Sequence, residues 1–355
     1  MKVLFLPKYS ALGASSRYRI YQYLDHFRQL GMVCHVKPLL GPWYLDALYH
    51  QQTIPWMEVA RSALRRMVHL AKAGRYDVLV LQYEAFPWLP TAIEDLLTLT
   101  RDRLIVDYDD AIYVNYDSSE RVLVRALLRD KIGHTMRKAR AVTVANANLA
   151  SYAQQFNSST HLVPTVVDLA RYPECKDYVT RSGDPVIAWI GTPHTLRYLQ
   201  TIREPLRDLA RQVAFTLKII GGGPTEIAGV ATACVPWSEA TEVEELLSCD
   251  IGVMPLPNAA VTRGKSGLKA IQYMACGLAT VVSPVGENCR IIVNEHNGLH
   301  AATPGEWVTQ LARLIEDRDL CRALGVAARR TVEHSYCLQV TAPRFADVIT
   351  QVADA

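Results

Sequence analysis

Two places in the sequence combine the residue types that bond-making chemistry needs. Asp107-Tyr108-Asp109-Asp110 closes a short apolar run, Leu104–Val106. The carboxyl end of a parallel strand is where ligands are met. Adjacent carboxylates there are costly to leave without a role. Asp109 or Asp110 suits the orientation or deprotonation of a hydroxyl group; capping the segment that follows is the structural alternative. The second place is Arg263-Gly264-Lys265-Ser266-Gly267, which opens an apolar helical stretch. Such a turn offers backbone N–H groups and the positive end of a helix dipole to an anion. Cations sit badly at that end unless an anion joins them, which favours Arg263 and Lys265 as ligands of a phosphate-type group over plain surface cations.

Two further turns have the same character. Gly191-Thr192-Pro193-His194-Thr195 precedes a helix expected from Leu196 to Arg211. Gly13-Ala14-Ser15-Ser16-Arg17 follows the first strand and puts Arg17 and Arg19 at a helix start. There Gly13 serves either close approach to a ligand or an ordinary turn. His194 is the best placed of the ten histidines. No second ligand lies near it, so no metal site is expected.

The elements that position these residues alternate. Val3–Leu6, Val33–Val36, Val78–Leu81, Leu104–Val106 and Ala141–Val144 read as short buried strands. Between them Tyr18–Leu30, Trp56–Ala73 and Arg121–Arg140 show helical spacing. The Trp56–Ala73 helix is basic and amphipathic, with Met57, Ala60, Leu64, Met67, Val68 and Ala71 on one side. With Arg61, Arg65, Arg66, His69, Lys72 and Arg75 it could lie on anionic lipid; a solvated face is the alternative. A second series follows: strands Val186–Ile190, Thr216–Ile220, Asp250–Met254 and Thr280–Ser283, and helices ending with Ala342–Val352. The pattern predicts an α/β protein: residues 1–168 as one Rossmann-like domain, 169–184 as linker, 185–335 as a second such domain, and 336–355 as a helix packing back on the first.

Composition adds exclusions. The net charge of +3 over 355 residues is too small to suggest a nucleic-acid partner. Residues 1–170 hold 20 Lys and Arg against 15 Asp and Glu, and the rest hold 18 against 20. A basic first half fits an anionic lipid or acceptor, or chance. Eight scattered cysteines without paired-ligand spacing read as free thiols of a reducing compartment. Apolar runs fall short of the ~18–20 residues that span a bilayer, and Met1–Pro7 leads straight into a strand. The expectation is a cytoplasmic protein, free or peripheral on the inner membrane face.

Lys265-Ser266-Gly267-Leu268-Lys269-Ala270-Ile271-Gln272-Tyr273-Met274-Ala275-Cys276-Gly277-Leu278-Ala279-Thr280-Val281-Val282 resembles the signature helix of glycosyltransferase family four. Supporting blocks are Val163–Asp168, Lys218–Pro224, Asp250–Leu256 and Asn297–Leu299, in the family's order. The resemblance implies the GT-B fold, two Rossmann-like domains facing each other across a cleft. It also implies a retaining transfer of a hexose-type sugar from a nucleotide-sugar donor to a hydroxyl acceptor, a glycan, lipid-linked or small molecule. Donor contacts would then come from Gly13, Arg17, Gly191, Thr192, His194, Arg263, Gly264, Ser266, Gly267, Gln272 and Glu287. Asp109, Asp110 and Lys265 would be catalytic, and neither metal nor other cofactor is expected. The family's two signature glutamates fall on Gly264 and Gln272, so both acids are missing. Glu287 either stands in for one or is a solvated loop residue. Trp237 lines the base pocket or merely packs. A sugar-nucleotide epimerase or hydrolase of the same fold, or a non-catalytic nucleotide-binding or partner-binding homologue, are the competing functions.

Overall fold

The computed structural model describes residues 1–49, 52–95, 100, 102–173 and 183–355. Most of the polar stretch expected as a linker, and Cys175 within it, lie outside the described residues. The chain divides into two compact units: Met1–Thr165 with Gly264–Ser266 and Thr341–Ala355, and Val166–Arg263 with Gly267–Val340.

The first unit is built on a six-stranded sheet: β1 (Lys2–Leu6), β2 (Val33–Val36), β3 (Val78–Gln82), β4 (Leu104–Tyr108), β5 (Ala141–Val144) and β6 (Thr160–Leu162). The order is β2-β1-β3-β4-β5-β6 and every pairing is parallel. β3, β4 and β5 are buried throughout, which is why they read as continuous apolar runs. On one side Phe5 stacks on Phe27, and Phe345 meets Tyr23 and Phe27 edge-on. On the other, Leu4, Leu6, Leu79 and Leu81 pack with Leu70, Leu128, Ile132 and Leu149.

The second unit repeats the plan with β7 (Val186–Ile190), β8 (Thr216–Ile220), β9 (Ala231–Val235), β10 (Ile251–Met254), β11 (Ala279–Val282) and β12 (Leu299–His300). Its order is β12-β11-β10-β7-β8-β9, again all parallel. This is the doubly wound Rossmann arrangement, whose direction of winding reverses between β7 and β10. In the first unit the reversal falls between β1 and β3.

Three expected helices are interrupted. Tyr18–Leu30 becomes Ala14–Arg19, a 3₁₀ turn and Leu24–Gln29; Arg121–Arg140 becomes Val122–Leu128 and Lys131–Lys138; Leu196–Arg211 becomes Leu196–Leu199, a 3₁₀ turn and Arg203–Ala210. The middle case has a visible cause. Lys131 is fully buried between Glu84 and Glu94 and donates to the Phe86 and Leu89 carbonyls. Lys131 is the first residue of the second helix, so the break falls where the chain is pinned to that site.

The helix at Trp56–Ala71 carries its apolar side outward. Ser62, Arg66 and Leu70 face the core, whereas Trp56, Met57, Leu64, Met67 and Val68 are exposed. Arg66 fixes this orientation, because its guanidinium donates to the Leu6 and Pro7 carbonyls at the end of β1 (3.3 and 2.8 Å). The Pro7 carbonyl also accepts from the Leu39 N–H (2.9 Å), so Arg66 adds a side-chain donor to backbone already in register at the end of β1.

Candidate functional site

Ligands in open α/β sheets meet the carboxyl ends of strands at the point where winding reverses. In the first unit that rule selects the loops after β1, β3 and β4. Asp107, inside β4, is wholly buried and structural: Arg19 grips it with two hydrogen bonds (3.0 and 2.5 Å) and Thr143 donates a third (2.7 Å). Arg19 is therefore a strut of the sheet. Arg17, only 6% exposed, turns back to donate to the Ala11 carbonyl of its own loop (3.3 Å). Gly13 caps the Ala14–Arg19 helix. A Cβ added there would come within 2.6 Å of Tyr9 Cβ, so the loop needs glycine for its own packing.

Asp109 and Asp110 part company. Asp109 is buried and accepts a short hydrogen bond from the Tyr83 hydroxyl. Burial pushes its carboxyl up from 3.8 to about 6, while Arg19 and the Tyr83 bond oppose the rise. Tyr83 has a left-handed backbone, φ 66°, and its N–H donates to the Asp107 carbonyl. A tyrosine held at positive φ at a strand's end is the kind of strain that accumulates at functional sites. Nothing in the sequence flags it. Asp110 is partly exposed and forms an ion pair with Lys265 at 2.5 Å.

Lys265 belongs to the tripeptide Gly264–Ser266 that groups with the first unit. Gly264 lies flat against Ala111: a Cβ added there would fall 2.2 Å from Ala111 Cβ. Its carbonyl accepts from the Asn146 amide (2.9 Å). A larger side chain at this position has no room. Ser266 is partly buried.

In the second unit the reversal lies between the turns after β7 and β10. The first of these is Gly191–Thr195, a capping box in which the Thr192 N–H donates to Thr195 Oγ1 (3.0 Å). Gly191 has no space for a side chain, since a Cβ would sit 2.5 Å from Trp189 Cη2 and 2.7 Å from Thr195 Oγ1. His194 is exposed at the same turn. The structure adds a cation here that the sequence did not single out: Lys269 lies 4.6 Å above the Trp189 ring and reaches Thr195 Oγ1 at 3.3 Å. Its one sequence cue is its place in the first turn of the Leu268–Ala275 helix.

After β10 the chain runs to Arg263, which is exposed and donates to Asn258 Oδ1 at 2.9 Å. Gly267 starts the Leu268–Ala275 helix with φ 74°, a conformation that favours glycine. Gln272 is buried in that helix. Gly286 comes so close to the Arg263 carbonyl that a Cβ would lie 2.5 Å away. The next residue, Glu287, is 5% exposed, which overturns its alternative as a solvated loop residue. Trp237 donates its indole N–H to Glu242 Oε2 (2.8 Å) and packs on Gly221. Among the described residues no three His, Cys, Asp or Glu side chains come together as metal ligands.

Residues 184–317 match the family model described as glycosyl transferases group 1. No curated protein matches the sequence. Among solved structures the chain is similar to sucrose-phosphate synthase from Thermosynechococcus elongatus, at TM-score 0.70 and 14% identity over 99% of each chain. It is likewise similar to Anabaena HepE, solved in complex with UDP and glucose, at 0.69 and 13% over 99% of this chain and 100% of that one. WaaG, described as a glycosyltransferase involved in lipopolysaccharide biosynthesis, follows at 0.66 and 13%, again over 99% and 100%. The fold is that of the GT-B glycosyltransferases, and the stretch similar to the group 1 model covers most of the second unit.

Proposed function

We propose that the protein transfers a sugar, with retention, from a nucleotide-sugar donor to a hydroxyl-bearing acceptor. The carrying observation is the place of the family match: residues 184–317 include both turns that flank the winding reversal of the second unit. The UDP found with HepE supports a nucleoside diphosphate as the donor's leaving group. The start of the Leu268–Ala275 helix and Arg263 are suited to its phosphates, with Thr192 and His194 of the neighbouring turn beside them. Gln272 and Glu287 suit the ribose or sugar hydroxyls through amide and carboxylate.

Breaking the sugar–phosphate bond leaves negative charge on the departing oxygen, and Lys265 is the cation assigned to it. Lys265 is paired with Asp110, so the diphosphate must draw it away from that carboxylate. Asp110 is then released to orient the acceptor hydroxyl, and Asp109, held by Tyr83, lies beside it to take the proton. The two roles are coupled through one ion pair. Metal is dispensable in this scheme, because side-chain cations and backbone dipoles meet the phosphate charge.

A thermal-shift panel of UDP-, GDP-, ADP-, CDP- and dTDP-sugars, followed by product analysis with and without acceptors, tests the proposal. One base should stabilise the protein, and a sugar-bearing product should form only with acceptor present. Free sugar or an epimerised nucleotide-sugar as the sole product would replace transfer by one of the competing reactions. No shift from any nucleotide would overturn the donor assignment.

A further inference from the structure

The outward face of the Trp56–Ala71 helix has an organisation that solvation alone does not explain. At about 100° per residue, Trp56, Met57, Ala60, Leu64, Met67, Val68 and Ala71 share one sector roughly 120° wide. Trp56 is 75% and Leu64 59% exposed. Arg61, Lys72 and Arg65 form a row along one edge of that sector, all exposed. The acid among them, Glu58, is already held by Arg61, with Arg65 at 3.9 Å.

A second patch repeats the composition. Val122, Leu123 and Leu127 project from the Val122–Leu128 helix, with Leu123 75% exposed, and Arg121, Arg125 and Arg129 accompany them. The connections β2 to β3 and β4 to β5 run the same way across the sheet, so right-handed crossovers put both helices on one side of it. Leu70 and Leu128, on the inner faces of these helices, belong to one core cluster. The first unit thus shows two apolar, arginine-edged patches on the same side of its sheet.

We propose that this face docks the protein on an anionic lipid bilayer, with the Trp56–Ala71 helix lying in the headgroup plane and its apolar sector inserted. Charge complementarity decides the occupant. A second copy of the chain would bring arginine rows together, which like-charge repulsion opposes. Anionic headgroups neutralise them while the acyl boundary takes up the tryptophan, methionines and leucine. Among the described residues no helix is long and apolar enough to cross a membrane, so attachment is by surface insertion.

The test is flotation of the full chain with vesicles of phosphatidylcholine alone or with about one third phosphatidylglycerol. The protein should partition to the anionic vesicles, and brominated lipid should quench a fluorescence component that Trp56→Phe removes. Arg61→Gln with Arg65→Gln should cost about fivefold per cation, on the order of 30-fold together, on anionic vesicles only. Leu64→Glu with Met67→Glu should lower partitioning at least about tenfold, and Met57→Glu with Val68→Glu should do the same. All these side chains are exposed, so circular dichroism and nucleotide binding should stay at wild type. Absence of vesicle binding, or binding indifferent to both glutamate pairs, would overturn the proposal. So would self-association, or retention of an acidic protein partner without lipid binding, that either pair abolishes.

Discussion

Replacing Asp109 with asparagine removes a buried charge and keeps an oxygen to accept the Tyr83 hydroxyl bond. Burial raises the Asp109 carboxyl from 3.8 to about 6. Between those values the folded protein holds a proton that the unfolded chain has released, so wild-type stability falls as pH rises through this window. The shift of about 2.2 at 1.36 kcal/mol per unit gives about 3 kcal/mol, complete above about pH 7. Asparagine does not titrate. The stability difference, Asp109→Asn minus wild type, should therefore climb by about 2.4 kcal/mol from pH 4 to pH 7, or roughly 5–10 °C in the melting temperature of a unit this size. Urea unfolding at closely spaced pH values, followed by near-ultraviolet circular dichroism, measures it. Transfer activity supplies a second readout: wild-type rate should rise with an apparent pKa near 6, and the variant should lose that limb. A flat difference profile, or one that falls with pH, would refute the assignment of Asp109 as a carboxyl destabilised by burial.

Gly264→Ala should destabilise by about 1–3 kcal/mol through overpacking, because its Cβ meets Ala111, and Ala111→Gly in the same chain should recover most of the loss; melting curves decide. Gly264→Glu should be worse still, since its longer side chain starts from the same contact with Ala111. Lys265→Ala should lower turnover on the order of 10²–10³-fold with little change in donor affinity. Asp110→Asn should lower transfer without weakening donor binding, since it releases Lys265 from its ion pair, and a double-mutant cycle in turnover should show coupling of about 0.5–3 kcal/mol; additive effects would dissolve the pair as a functional unit. Chelator should leave turnover unchanged, and activity restored by manganese or magnesium after chelation would contradict the metal-free scheme.

The central strands were legible because burial on both faces leaves one kind of residue possible, as in Val78–Leu81 and Leu104–Val106. The strands that escaped notice, Thr160–Leu162, Ala231–Val235 and Leu299–His300, all lie at or next to a sheet edge. There, half-exposed residues such as Thr232 and His161 obscure both the continuous and the alternating pattern. Among site residues, Asp109 and Asp110 announce themselves as acids at the end of a buried run. Their different fates do not, since one depends on Tyr83 and the other on Lys265, both distant in sequence. Gly264 shows the same limit from the other side: its place in a helix-opening turn is plain in the sequence, and only the structure shows Ala111 filling the space a side chain would need.

The Trp56–Ala71 helix shows what periodicity leaves open. Spacing establishes that one side is apolar, and the usual inference turns that side inward. Hydrophobic burial would favour that choice by roughly 1.5–3 kcal/mol for each large side chain. Against it stands Arg66, whose buried guanidinium is held by the Leu6 and Pro7 carbonyls at the end of the interior strand β1 and would be costly to leave unpaired. With the helix turned the other way those carbonyls would lose Arg66, while Ser62 and Leu70 would leave the core. The apolar stripe is then the remainder of a helix oriented by its polar side, and its outward position is a property of the folded unit. Retaining several large apolar side chains in that position is costly for solubility, unless a lipid surface covers them.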